Sequence, residues 1–308
     1  MNYVTQFDLG TVLPKNFYES KQFKQLRSSL ESSKQSYFLT GKAGTGKSTF
    51  VEYFRLNTKK NVMILAYTGI VSIKCRGRTI HSFFGYPHHI LKRKDCKILR
   101  KRDFLKSLNT LIIDEVSMVN PNLMDAIDRS LKVNRENDLP FGGVQMLFVG
   151  DVFQLSPIAK GKEKEVLDKM YPEGNFFYNS KWFKILNPKR IEFEKIFRQK
   201  DTQFIQKLEN IRRNQITNDV LDYFKNRVTG EQELKDGLVL LAPTNRKTFA
   251  VNHKKLQSIN SREFSYLGKV TGAFKPSDMM SEKNLKLKVG AQIMLSLIHI
   301  SEPTRLAT

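Results

Sequence analysis

Gly41-Lys42-Ala43-Gly44-Thr45-Gly46-Lys47-Ser48 follows the apolar run Tyr37-Phe38-Leu39 directly and leads into a stretch of helical character that begins near Lys47. The spacing GxxxxGK[ST], with a strand before it and a helix after it, defines a phosphate-binding loop. The three glycines let backbone N–H groups turn inward around phosphate oxygens, and the following helix offers its positive dipole end to the same anion. Lys47 is expected to reach the β and γ phosphates of ATP. The Ser48 hydroxyl is expected to meet Mg²⁺, a hard ion that prefers oxygen ligands. Gly41 through Thr49 thus form the expected nucleotide-binding set; the bland alternative is a glycine loop without chemistry.

Composition narrows the partner. Of 308 residues 40 % are hydrophobic, sufficient for real cores and for two domains of ordinary size. Lys and Arg number 52 against 30 Asp and Glu, a formal +22, which points to a polyanion. No apolar stretch reaches the length of a membrane span, and MNYVTQFDLG lacks the blocks of a signal peptide, so nucleic acid is favoured over lipid. Two cysteines, Cys75 and Cys96, lack metal-ligand spacing. An intracellular, reducing location, cytoplasmic or nucleoid-associated and not secreted, is expected.

Thr110-Leu111-Ile112-Ile113-Asp114-Glu115 reads as a buried parallel strand that delivers two carboxylates at its C-terminal end, where doubly wound sheets bind ligands. Asp114 is expected to hold Mg²⁺, directly or through water, and Glu115 to polarise the water that attacks the γ-phosphate. Val144 to Val149 is a further strand that ends in Gly150-Asp151 and leads to Gln154, a candidate γ-phosphate sensor. Alternating strands and helices (strands near Tyr37–Thr40, Asn61–Tyr67, Leu111–Asp114, Gln145–Val149 and Arg190–Glu194, a helix over Asn122–Val133) predict an α/β fold with a parallel sheet.

In this order, GKAGTGKS, LAYTGIVSIKCRGRTIHSFFG (65–85), IIDEVSM, GGVQMLFVGDVFQLSPI, IFRQKD and LKVGAQIML (287–295) resemble the motifs of the Pif1-like group of superfamily 1 DNA helicases. The resemblance extends from residue 37 to about 294. Ser156 stands where that family more often has proline, and Val71-Ser72 replaces a usual alanine pair. Gln22 is a weak candidate for an adenine-reading glutamine. The resemblance implies a P-loop NTPase with a RecA-like parallel sheet, helices on both faces, and a partial second RecA-like lobe. It also implies Mg-ATP hydrolysis coupled to 5′ to 3′ movement on single-stranded DNA, in repair, recombination and telomere maintenance. Arg198, in IFRQ, matches an arginine that contacts the γ-phosphate from across the cleft; its alternative is a solvated arginine at a helix start.

The same resemblance assigns Thr68, Gly69, Thr79, His81, Phe83 and Asn245 to DNA. A loop after a strand can offer amides and hydroxyls to phosphates without reading sequence, and rings that stack on bases contribute about 1–3 kcal/mol each. Phe83 and Phe84 also suit a core. His81 suits a hydrogen-bonding anchor better than a metal ligand, since His88 and His89 fall in another loop. Lys92, Arg93, Lys94, Lys97, Arg100, Lys101, Arg102 and Lys106 form a basic run within an insertion of about 86–108, where the family places a small wedge domain. The run is expected to line a single-strand channel or meet the duplex fork, with a solvated face as the alternative.

The expected organisation is a first lobe over 1–195 and a partial second lobe over 196–294. The second lobe opens on a helical stretch around Phe204 to Ile211 and a strand at Leu238–Leu241 before Pro243-Thr244-Asn245-Arg246. Residues 295–308, with LSLIHISEPTR, resemble a translated sequencing adapter and read as a non-native tail on a chain cut within its second lobe. The expected protein is a monomer that uses ATP and Mg²⁺ on single-stranded DNA and the duplex fork, without a membrane. The rival reading is a nucleotide-gated DNA-binding ATPase, clamp or loader, that does not unwind.

Overall fold

Leu111-Ile112-Ile113 and Met146-Leu147-Phe148-Val149 are apolar at every position, so as strands they need cover on both faces. They form β4 (Thr110–Asp114) and β5 (Gln145–Val149), buried at all five positions each. With β1 (Tyr37–Gly41), β2 (Val62–Ala66), β3 (Arg78–Thr79) and β6 (Lys189–Phe193) they build a six-stranded sheet ordered β3-β2-β4-β5-β1-β6, in which every pair is parallel. The register sets Ala66 opposite both Thr79 and Asp114, and Leu39 opposite both Val149 and Ile191. All C-terminal strand ends therefore share one edge.

Our computed structural model describes residues 15–69, 77–87, 89–159, 161–199, 201–228, 238–242, 244–269 and 282–293. Val71-Ser72, His88, Pro243, Cys75 and the adapter-like tail lie outside these residues, as does the side chain of Asn245. The chain divides into two units, one through Asp222 and one from Tyr223 to Ser296. Among the described residues no helix is long and apolar enough to cross a membrane.

Side chains alternate across the strands and supply two cores. Leu111, Ile113, Met146 and Phe148 pack with Leu123, Met124, Ile127 and Leu131 of the helix Pro121–Arg135. Leu39, Ile112, Leu147 and Val149 pack on the other face with Leu26 and Leu30 of the helix Lys21–Ser32 and with Phe50 and Phe54 of the helix Lys47–Asn57. Numbered in chain order, the helices used below are α1 (Lys21–Ser32), α2 (Lys47–Asn57), α3 (Ile80–Phe84), α4 (Arg102–Ser107), α5 (Pro121–Arg135), α6 (Gly161–Met170), α7 (Lys181–Leu186), α8 (Thr202–Arg212) and α9 (Asn245–Ser258). Each fully buried Leu or Phe contributes about 1.5–3 kcal/mol, so these two layers dominate the stability of the first unit.

The basic segment at 86–108 is laid along α5. Asn122 and Asn134, both buried in α5, act as side-chain substitutes for a neighbouring strand. Asn122 accepts from Leu91 N (2.8 Å) and donates to Leu91 O (3.0 Å). Asn134 accepts from Leu99 N (2.7 Å) and donates to Lys97 O (3.0 Å). Tyr86 adds a bond from its hydroxyl to Ala126 O at 2.8 Å, and Leu91, Leu105 and Leu108 enter the core. Asn134→Ala should remove this partner from two part-buried backbone groups, Leu99 N and Lys97 O. An expected loss of about 1–3 kcal/mol would appear as a lower urea midpoint at unchanged m-value, and an unshifted midpoint would refute the pinning role.

The second unit contains α9, capped by Thr244, and an antiparallel pair of strands, β7 (Glu263–Leu267) and β8 (Asn284–Lys288). Two expectations need correction. Leu238–Leu241 is irregular, because among the described residues no strand pairs with it and its side chains are exposed. The first unit also runs past residue 195 to Asp222, because α8 is tied to the sheet edge by ion pairs.

Candidate nucleotide site

The phosphate loop joins β1 to α2. Gly44 (φ 78°) and Gly46 (φ 90°) take left-handed conformations that favour glycine. They also permit close packing: a Cβ on Gly46 would lie 2.2 Å from the Phe17 ring, and one on Gly44 would lie 2.7 Å from Arg198 Cβ. Gly41 closes β1, and Thr45 is buried with its hydroxyl donating to Lys42 O at 2.9 Å. Ala43 is exposed; Ser48 and Thr49 are half-buried in the first turn of α2.

α2 differs from its neighbours at its start. α1, α5, α7 and α8 carry Ser20, Asn120, Ser180 and Asp201 as caps, each accepting from a first-turn N–H. Gly46 caps α2 without a side-chain acceptor. The first-turn N–H groups of a helix left in this way are donors for an anion.

Lys47 Nζ donates to Gly41 O at 2.7 Å and Lys42 O at 3.0 Å. Burial pulls its pKa below the ordinary lysine value, against the opposing charges of Asp151, Glu115 and Asp114. These three carboxylates come from the ends of β5 and β4, so sheet register brings Lys47 and the acidic pair into one field. Asp114 is 2 % exposed and its Oδ1 accepts from Glu115 N at 2.9 Å. Glu115 itself sits at φ 50°, ψ 45°, an uncommon backbone state for a residue with a side chain. Among the described residues no group of three His, Cys, Asp or Glu converges on a metal position.

Gln154 is exposed on the turn after β5, with its backbone N donating to Asp151 O at 3.0 Å and its Nε2 3.5 Å from Asp151 Oδ2. Arg198 needs a correction of place. Phe197 N donates to Gly44 O at 2.8 Å, so the Arg198 segment is anchored on the phosphate loop within the same unit rather than brought from across a cleft. Arg198 is exposed there.

The parallel pairing of β2 with β3 brings the other predicted set together. Thr68 and Gly69 follow β2, Thr79 caps α3 by accepting from Ser82 N at 3.2 Å, and the His81 ring stands edge-on to Tyr67 at 6.1 Å. Tyr67, His81, His89, Asn120, Ile158 and Glu163 line a polar cavity of about 160 Å³. Phe83 is corrected to the core: it is 2 % exposed, edge-on to Phe84, with Lys101 Nζ 3.6 Å from its ring centroid, so it presents no face to a base. Asn245 opens α9 in the second unit.

The basic run splits into two groups. Arg102 and Lys106 both pair with Glu136, and Lys101 covers Phe83, whereas Lys92, Arg93, Lys94, Lys97 and Arg100 are exposed.

A phosphate loop on the first strand of a parallel sheet, with acids on a strand two positions away and both faces under helices, defines the P-loop NTPase fold of RecA-like type. A family model described as PIF1-like helicase matches residues 18–221. The chain belongs to that family. It is 33 % identical over 275 residues to the ATP-dependent DNA helicase RRM3 of Saccharomyces cerevisiae, covering 84 % of this chain and 37 % of the relative. It is similar to a crystal structure of Bacteroides Pif1 bound to ssDNA, with TM-score 0.76 and 34 % identity over 87 % of this chain and 63 % of that one. A structure described as DNA unwinding at forked dsDNA by two coordinating Pif1 helicases matches with TM-score 0.74 and 35 % identity, over 87 % of this chain and 65 % of that one. The chain thus spans little more than a third of the yeast relative and under two thirds of these structures.

The sequence reading sets Asp151 at the end of its strand without a role, and does not single out its partner Arg212. The signals available are the Asp after Gly150 and a Glu209-Arg212 spacing of three at the end of the helical stretch around Phe204 to Ile211.

Proposed function

We propose that this chain carries the ATP-hydrolysing part of a DNA helicase that moves 5′ to 3′ on single-stranded DNA and meets the duplex fork. The observation that carries the proposal is the convergence of Lys47, Asp114 and Glu115 at one sheet edge beside a helix start with no side-chain cap. In this reading Gly41 to Thr49 hold the triphosphate through backbone N–H groups, and Lys47 leaves the Gly41 and Lys42 carbonyls for phosphate oxygens. Ser48 and Asp114 are oxygen donors suited to Mg²⁺, which when bound offsets charge on the phosphates. The lack of a three-residue ligand cluster among the described residues fits an ion held mostly by phosphate and water. Glu115 orients and deprotonates the attacking water, Gln154 senses the γ-phosphate, and Arg198 stabilises its developing charge.

DNA is the track because Thr68, Gly69, Thr79 and His81 gather at the β2 and β3 ends, and because the exposed cations at 92–100 supply phosphate contacts without sequence reading. The family resemblance also assigns Asn245, which opens α9 in the second unit, to DNA. A monomer is the state this reading expects. The deciding measurement is ATP turnover with and without single-stranded DNA, then strand separation from a 5′ overhang, on the gene product that contains this chain. Stimulation with separation supports the motor. Stimulation without separation favours the clamp or loader, and absence of stimulation rejects the motor.

Replacing Lys94, Lys97 and Arg100 together by Ala should weaken single-strand binding and flatten its salt dependence by about 0.7 in log–log slope per lost phosphate contact. Titration of a fluorescent oligonucleotide across salt concentrations reads both quantities. An unchanged slope would return the run to a merely solvated face.

A further inference from the structure

β1 and β5 are neighbours in the sheet, and they end at the phosphate loop and at Gly150-Asp151. One face of α8 spans both ends. Glu209 and Arg212 stand three residues apart on that face, as helix neighbours do. Arg212 Nε donates to Asp151 Oδ2 at 3.0 Å and Nη2 donates to Oδ1 at 2.8 Å, a two-pronged pair with Asp151 1 % exposed and the Arg212 side chain 15 % exposed. Glu209 accepts from Arg212 Nη1 at 3.2 Å and Arg213 Nε at 2.6 Å, and lies 3.5 Å from Lys42 Nζ in the phosphate loop. The Arg212 guanidinium also covers the Phe153 ring at 4.3 Å.

Asp151 in turn organises the turn that follows. It accepts from Phe153 N at 3.1 Å, and Gln154 leans on the same carboxylate. A buried ion pair of this kind roughly breaks even in stability against apolar residues, so its effect is sought in geometry. Two oxygens engaged by one planar guanidinium fix direction as well as distance.

We propose that Arg212 is a positioning residue for ATP hydrolysis, which holds Asp151 and the Gln154 turn in register with the phosphate loop that Glu209 grips through Lys42. The proposal rests on the hydrolytic reading above and adds to it a brace between two strand ends. Electrostatics gives the brace a second effect. Asp151 heads the carboxylates that act on Lys47, and Arg212 opposes them. Without Arg212 the Asp151 charge would compete with phosphate for the Lys47 ammonium.

The test compares steady-state ATP turnover, with and without single-stranded DNA, for the parent gene product, Arg212→Ala, Arg212→Lys, Asp151→Asn and the double Asp151→Asn/Arg212→Ala. Arg212→Ala is expected to lower kcat by about tenfold to a hundredfold, the scale of a misplaced catalytic group, with a much smaller change in KM for ATP. Arg212→Lys should recover part of the loss, because it keeps the charge and loses the fork. The double variant should be no slower than the slower single, since both remove one unit. Parental kcat in a folded Arg212→Ala, or losses that multiply in the double, would overturn the proposal. Should Arg212→Ala not fold, Arg212→Lys and Asp151→Asn carry the same comparison, and parental kcat in both would overturn it. A parent that hydrolyses no ATP with or without DNA rejects the hydrolytic reading instead, a result distinct from parental kcat in the variants.

Discussion

Lys47→Ala is expected to reduce ATP turnover by about a thousandfold, the scale on which removing a charge-stabilising donor acts in a partly desolvated site. The Lys47 ammonium is half-buried and directs its bonds into the loop, to Gly41 O and Lys42 O. Burial lowers its pKa while Asp151, Glu115 and Asp114 pull in the opposite direction. Alanine removes the one cation of this loop that faces those acids from the first turn of α2. Only the Arg212 pairing with Asp151 then offsets these carboxylates as the triphosphate arrives, so both nucleotide affinity and the chemical step should fall. Lys47→Met separates charge from packing, because it keeps most of the aliphatic stem. Phosphate release measured under saturating nucleotide reads the effect in both variants. Turnover near the parental rate in either would mean that another part of the molecule binds the nucleotide.

Much of this site was legible because its signals are local. A phosphate loop is defined by eight consecutive residues, and the all-apolar strands β4 and β5 declare their burial by composition. The helix expected over Asn122–Val133 falls within α5. What failed to show is non-local or competes with a bland reading. Arg212 is one of many basic residues in a strongly basic chain, and only the fold sets it opposite Asp151, 61 positions away. Phe83 stands between Ser82 and Phe84 in a segment that suits a binding loop or a core helix equally. The contacts with Phe84 and Lys101 decide for the core. Leu238–Leu241 has the composition of a strand, but composition does not provide a pairing partner. The insertion at 86–108 read as a separate body because its charges stand out. Its anchors are two asparagines of α5, which are unremarkable in sequence.

Glu115→Gln is expected to lower kcat by about a hundredfold to ten-thousandfold, the range assigned to a positioned general base, while nucleotide and DNA binding stay near parental. The side chain keeps its shape and its hydrogen-bonding reach but can no longer take a proton. Backbone geometry argues that the position serves chemistry rather than folding. A left-handed residue with a Cβ costs about 1–3 kcal/mol and persists where the surroundings enforce it. At Glu115 the enforcement is visible: Asp114 Oδ1 captures the Glu115 N–H, and Met118 N and Val119 N close the next turn onto Glu115 O and Val116 O. Glycine adopts this conformation without strain. Glu115→Gly should therefore melt at or above the parental temperature while turnover is lost, and Glu115→Gln should melt close to it. Thermal melting and single-turnover hydrolysis on the same preparations separate the two effects. If Glu115→Gln hydrolyses ATP at the parental rate, the base lies elsewhere, and the strained turn would need a different explanation from the one that joins it to Lys47.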